Sequence, residues 1–92
     1  MTSLNIQLVS AIFANDPSKI RSLLDQGIDL NDCGFLNIPP LLRAVLYGKS
    51  KALQALIEAG ADKNIKDEQG RTALELAKKY NYPEIVKILL QN

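Results

Sequence analysis

Residues 26–31, Gln-Gly-Ile-Asp-Leu-Asn, return as residues 59–64, Ala-Gly-Ala-Asp-Lys-Asn, so that Gly27, Asp29 and Asn31 reappear 33 positions later as Gly60, Asp62 and Asn64. The same step carries Leu8 onto Leu41 and Leu74, and Ala11 onto Ala44 and Ala77. It also carries Leu23 onto Leu56 and Leu89, and Leu24 onto Ile57 and Leu90. Several matches in one register mark a chain built from stacked copies of a small unit, none of which can bury its apolar face alone. At 92 residues there is room for about three such units and one domain.

Each unit reads as two short helices. In the third, Thr72-Ala-Leu-Glu75 is a capping box, in which hydroxyl and carboxylate satisfy each other's free backbone N–H groups. Ile85, Val86, Leu89 and Leu90 then follow at helical spacing in a second helix over Pro83–Gln91. In the first unit, Asp16-Pro17 is an N-cap followed by a proline whose missing N–H is harmless at that position. Asn15, Gly48 and Asn81 fall at equivalent places between the helices, and all tolerate the left-handed backbone of a tight turn. Gly27 and Gly60 are expected to close the second helices as C-cap glycines.

This pattern of helix, turn and helix, then Gly60-Ala61-Asp62-Lys-Asn64, leading to Gly70-Arg-Thr72-Ala-Leu74, resembles the ankyrin repeat. The resemblance covers essentially the whole chain as a single domain, with repeats at about 1–33, 34–66 and 67–92. It implies an all-α fold: an ankyrin-type solenoid of three 33-residue helix-turn-helix repeats with β-turn fingers between them. Two departures stand out. The family's Thr-Pro-Leu-His becomes Pro39-Pro-Leu-Leu42 and Thr72-Ala-Leu-Glu75, and without histidine its Thr–His hydrogen bonding is absent. The first finger has Gly34 and Asn37 where the second has Asp67 and Gly70. The outer units must act as caps, with Ser10, Ser18, Arg21 and Asp25 polar at one end and Glu75, Lys78 and Lys87 at the other. The chain is expected to form a complete three-unit stack, a piece of a longer array being the other reading.

Composition narrows the function. Eleven basic against ten acidic side chains leave a formal charge of +1, so no overall field favours nucleic acid or an anionic membrane. No apolar run approaches the roughly 18 residues of a membrane span. The first residues lack the basic region of a secretory signal. A single cysteine, Cys33, precludes an internal disulfide framework and fits the cytoplasm or another reducing intracellular compartment. With no histidine, neither a Ser–His nor a Cys–His pair can form, and zinc loses its commonest nitrogen ligand. Five scattered glycines make no phosphate loop. The expectation is no enzyme, no cofactor and no metal.

The resemblance implies binding through the concave side, built from finger tips and the exposed face of each first helix. On this chain those positions are Phe35, Leu36 and Ile38 in the first finger and Glu68, Gln69 and Arg71 in the second. On the first helices they are Phe13 and Ala14, Leu46 and Tyr47, and Lys79 and Tyr80. The second finger is charged, whereas the first carries three bulky apolar residues. With Phe13, Leu46, Tyr47 and Tyr80 they are expected to form an apolar, aromatic-rich strip, rimmed by Glu68, Arg71 and Lys79. The reading is a non-catalytic protein–protein interaction module whose partner is a protein. A dedicated inhibitor of the immunity or antitoxin type is the first alternative, and a self-associating structural protein the second. A monomer is expected, with a homodimer through the first finger as its rival.

Overall fold

The computed structural model describes residues 4–30 and 38–91, with six helices among them. These are α1 (Leu4–Phe13), α2 (Pro17–Asp25), α3 (Pro40–Leu46), α4 (Ser50–Glu58), α5 (Ala73–Lys79) and α6 (Pro83–Leu90). Consecutive helices pack as antiparallel hairpins, and the hairpins stack so that α1, α3 and α5 form one row and α2, α4 and α6 the other. This is the all-α repeat architecture that the family resemblance implies, stacked in the 33-residue register. Only Phe35 and Leu36, among the expected binding positions, lie outside the described residues.

The hairpin turn is built three times from the same backbone bonds. Asn15, Gly48 and Asn81 take φ of 55°, 68° and 57°, the left-handed conformation their residue types permit. That conformation brings the next N–H back onto the helix: Asp16 donates to the Ala11 carbonyl at 3.1 Å, Lys49 to Ala44 at 2.9 Å and Tyr82 to Ala77 at 2.9 Å. The left-handed residues themselves donate to Ile12, Val45 and Lys78 at 2.9, 3.0 and 3.2 Å. Each first helix therefore ends in a Schellman motif that satisfies carbonyls left free by the last turn.

Helix starts are secured by different means. Asp16 Oδ1 accepts from the Lys19 N–H at 3.2 Å, with Pro17 at the first helical position. Thr72 Oγ1 accepts from the Glu75 N–H at 3.2 Å, and Glu75 Oε1 from the Thr72 N–H at 3.1 Å, completing the capping box. Lys49, at the N-cap of α4, contributes no side-chain bond. There Asn15 of the preceding hairpin reaches across, its Oδ1 accepting from the Ala52 N–H at 2.9 Å.

The core is aliphatic and follows the repeat register. Ile12 and Val45 are wholly buried where Lys78 is exposed, so this position faces the following hairpin. Ser10 is exposed where Arg43 and Leu76 are 2% and 1% accessible, so this one faces the preceding hairpin. Burying one such aliphatic side chain stabilises the stack by about 1.5–3 kcal/mol. Ser10 at one end and Glu75 and Lys78 at the other are exposed where their repeat equivalents are buried or half-buried, as end caps require. Ser18, Arg21, Asp25 and Lys87 instead occupy positions exposed or half-buried in every repeat, Arg21 pairing with Glu58 of the next hairpin at 3.9 Å. Leu90 nevertheless remains 65% exposed.

The second finger is a tight antiparallel turn bridging Lys66 and Thr72. Gly70, at φ 78°, donates to the Asp67 carbonyl at 3.0 Å, and Asp67 N–H donates to the Arg71 carbonyl at 3.0 Å. Asp67 Oδ1 accepts from the N–H groups of Gln69 and Arg71 at 2.9 and 2.8 Å, while Oδ2 accepts from Arg71 Nε at 2.8 Å. The acidic residue thus organises its own turn, as an Asx motif does.

Candidate interaction surface

The ends of α1, α3 and α5 bring three aromatic residues of the expected surface to one edge. Phe13 is the last residue of α1, while Tyr47 and Tyr80 cap α3 and α5. The Phe13 ring meets Tyr47 edge-on, with centroids 5.5 Å apart and planes at 73°. This is the arrangement favoured by ring quadrupoles. Lys49 Nζ lies over the Phe13 ring, 5.2 Å from its centroid. One hairpin further on, Lys79 Nζ lies 5.8 Å from the Tyr80 centroid. Phe13 is 64% exposed and Tyr80 44%, whereas Tyr47 is half-buried against the core.

A second group forms where the finger overhangs the first helices. Ile38, Pro39, Leu42, Leu46 and Leu76 line a cleft of about 130 Å³, closed on its other side by Asp67, Glu68, Gln69 and Arg71. An engineered apolar cavity of about 150 Å³ accepts benzene, so this cleft has room for one apolar side chain. Ile38, Leu46, Glu68 and Arg71 are thereby brought together. Ile38 and Leu46 also pack against the core, so they serve the stack and the cleft at once. Leu46 lines the cleft and adjoins Tyr47, linking the two groups along α3. The strip is therefore uneven: its aromatic ends are open and its middle is half-embedded.

Three contributors to this surface escape a reading of the sequence. Arg43 is 2% accessible and donates through Nη1 to the Tyr47 hydroxyl at 3.3 Å, which is not its only interaction. An arginine between Leu42 and Ala44 looks like a helix's solvated face, but Leu76 at the same repeat position was a signal that it is buried. Lys49 draws notice only once Phe13 is seen beneath it. Tyr82 packs its ring on Gly48, where a Cβ would lie 3.0 Å from two ring carbons. Its hydroxyl points at the Leu46 carbonyl over a long 3.5 Å, and its ring lies 6.3 Å from that of Tyr80.

The Asp67 carboxylate holds the finger together. The Asp67 carboxyl is held below the ordinary carboxylate range, chiefly by the Arg71 backbone N–H. Burial works the other way, and the Arg71 guanidinium and the Gln69 N–H add to the lowering. Among the described residues no group of three His, Cys, Asp or Glu could hold a metal, and no helix is long and apolar enough to cross a membrane.

Two rows of helices, left-handed hairpin turns and an Asx-based finger define a repeat protein, and the family profile described as ankyrin repeats (3 copies) matches residues 8–92. The chain belongs to the ankyrin repeat family. It is 34% identical over 70 residues to an E3 ubiquitin-protein ligase of Arabidopsis thaliana, covering 76% of this chain and 4% of the ligase. An ankyrin repeat protein of Acanthamoeba polyphaga mimivirus is 24% identical over 84 residues, covering 91% of this chain and 52% of that protein. Neurogenic locus notch homolog protein 1 of Mus musculus is 36% identical over 77 residues, 83% of this chain and 3% of its own length. The chain thus spans about half of the mimivirus protein and a few per cent of the other two. Ankyrin repeats are generally protein–protein interaction modules without catalysis.

Proposed function

We propose that this chain is a non-catalytic module that binds a protein partner along the surface joining the second finger, the cleft beneath it and the ends of α1, α3 and α5. Residues 1–92 are read as one domain of three repeats, at about 1–33, 34–66 and 67–92. The observation that carries the reading is the exposure of Phe13 and Tyr80 on the same edge, the two aromatic members of the four large apolar side chains left open among the described residues, with Ile6 and Leu90. Large aromatic side chains left open in this way are the usual anchors of an interface. The single cysteine suits a reducing intracellular compartment for this work.

The test is quantitative capture from a native lysate by the wild type and by the Phe13→Ser/Tyr80→Ser variant, with helical content checked by circular dichroism. The variant should stay folded, since both side chains are largely outside the core, and should lose most of the captured protein. Equal capture by a folded variant would move binding elsewhere. Light scattering across a dilution series tests the remaining role of the surface, and a concentration-independent monomer would leave it free for a different partner.

A further inference from the structure

We propose that the edge formed by the ends of α1, α3 and α5 recognises an acidic peptide segment with an apolar side chain, Lys49 and Lys79 receiving the carboxylates beside Phe13 and Tyr80. The inference rests on the protein-binding reading and names the chemistry of the partner.

Its first support is a division of charge that the overall +1 conceals. The hairpin-turn edge, residues 13–19, 46–51 and 78–84, carries Lys19, Lys49, Lys51, Lys78 and Lys79. Against these stand only Asp16 and Glu84. At the opposite edge, residues 25–30 and 58–71 carry Asp25, Asp29, Glu58, Asp62, Asp67 and Glu68 against Lys63, Lys66 and Arg71. Among the described residues the ion pairs are Arg21–Glu58 and Arg71–Asp67, so the five lysines of the turn edge have no carboxylate partner. A basic edge of this kind attracts an acidic segment and sets its orientation.

The second support is where two of these charges sit. Lys49 and Lys79 are each held over a ring face, 5.2 and 5.8 Å from the Phe13 and Tyr80 centroids. An ammonium held there meets a carboxylate from the solvent side, while the exposed ring edges remain for apolar contact. The same arrangement argues against nucleic acid, because bases stack on open ring faces and here an ammonium lies over one face of each exposed ring.

A randomised 12-residue peptide display library, selected in parallel on wild type and on the Lys49→Glu/Lys79→Glu variant, tests the proposal. Wild type should enrich sequences with Asp or Glu next to an aromatic or aliphatic residue. The selected peptide should bind the folded variant roughly tenfold more weakly or worse, and should weaken with added salt. Peptides without acidic residues that bind both proteins alike would overturn the inference and leave the protein-binding reading standing. So would the absence of any enriched peptide, or tighter binding of a single-stranded 12-nucleotide oligo-dT probe than of the selected peptide. Failure of the binding reading itself has a separate sign: unchanged lysate capture by Phe13→Ser/Tyr80→Ser.

Discussion

Asn15 Oδ1 accepts a 2.9 Å hydrogen bond from the Ala52 N–H, so a turn residue of one hairpin caps the outer helix of the next. The same residue supplies the left-handed turn between α1 and α2, at φ 55°. Intra-repeat geometry and inter-repeat stacking thus meet in one residue, the first through its backbone and the second through its side chain. Gly48, its counterpart one repeat on, has no side chain to offer α6, and the Tyr82 ring occupies that place instead.

Substitutions at Asn15 should separate its two roles. Asn15→Gly keeps the turn and loses the hydrogen bond to Ala52, and should destabilise the protein by about 1 kcal/mol. Asn15→Ala loses both and should fall by a further 1 kcal/mol or so, because alanine resists the left-handed region. Urea midpoints measure the difference, and an unchanged Asn15→Gly midpoint would show that the bond contributes nothing.

Gly48→Ala meets two obstacles at once, a φ of 68° and a Tyr82 ring 3.0 Å from the new Cβ. The expected loss is about 2 kcal/mol, larger than for alanine at Gly60, where φ is 100° but no atom lies within 4 Å. Combining Gly48→Ala with Tyr82→Ala should remove the clash and leave the backbone strain. The two single losses should therefore exceed the double, a non-additivity that a thermodynamic cycle resolves.

Arg43 is a buried charge whose long stem fills space facing the preceding hairpin. Arg43→Met keeps most of that stem and should lie within about 1.5 kcal/mol of wild type. Arg43→Ala should be worse by about 1–3 kcal/mol, because it leaves a gap as well as removing the donor to Tyr47. Thermal or urea unfolding decides, and equal losses would show that charge and not packing dominates at this site.

For Asp67 the direction of the pH response follows from its lowered carboxyl pKa. A depressed folded value means that the finger's stabilisation is complete above the unfolded value of about 3.9 and is lost as pH falls through the lower folded one. In wild type the Gln69 and Arg71 amide resonances should shift with a midpoint below about 3.9. Asp67→Asn should abolish that transition. A wild-type midpoint above the ordinary range would contradict the hydrogen-bonded geometry.

What the sequence makes legible, and what it hides, divides along physical lines. Local chemistry is readable: Thr72 and Glu75, Asp16 and Pro17, and the three left-handed turn residues act within a few positions of themselves. The 33-residue step extends this to the stack, because equivalent positions such as Ile12, Val45 and Lys78 announce which face is covered and where the covering stops. Contacts between residues at different repeat positions have no such signal. The Asn15–Ala52 cap and the Lys49–Phe13 contact join positions that the register does not pair. The half-burial of Ile38 and Leu46 was hidden for a related reason: register assigns a residue to the finger or helix, not the depth to which it sinks.

The central claim is that the aromatic edge, and not the outer row of helices α2, α4 and α6, holds the partner. Calorimetry of the captured partner tests it with Phe13→Ala/Tyr80→Ala beside an outer-row control, Arg21→Ala/Glu58→Ala, which removes an exposed ion pair of 3.9 Å. The account predicts a loss of about thirtyfold or more for the aromatic pair and less than about threefold for the control. Full affinity after loss of both aromatic rings, with weakening at the outer row, would contradict it.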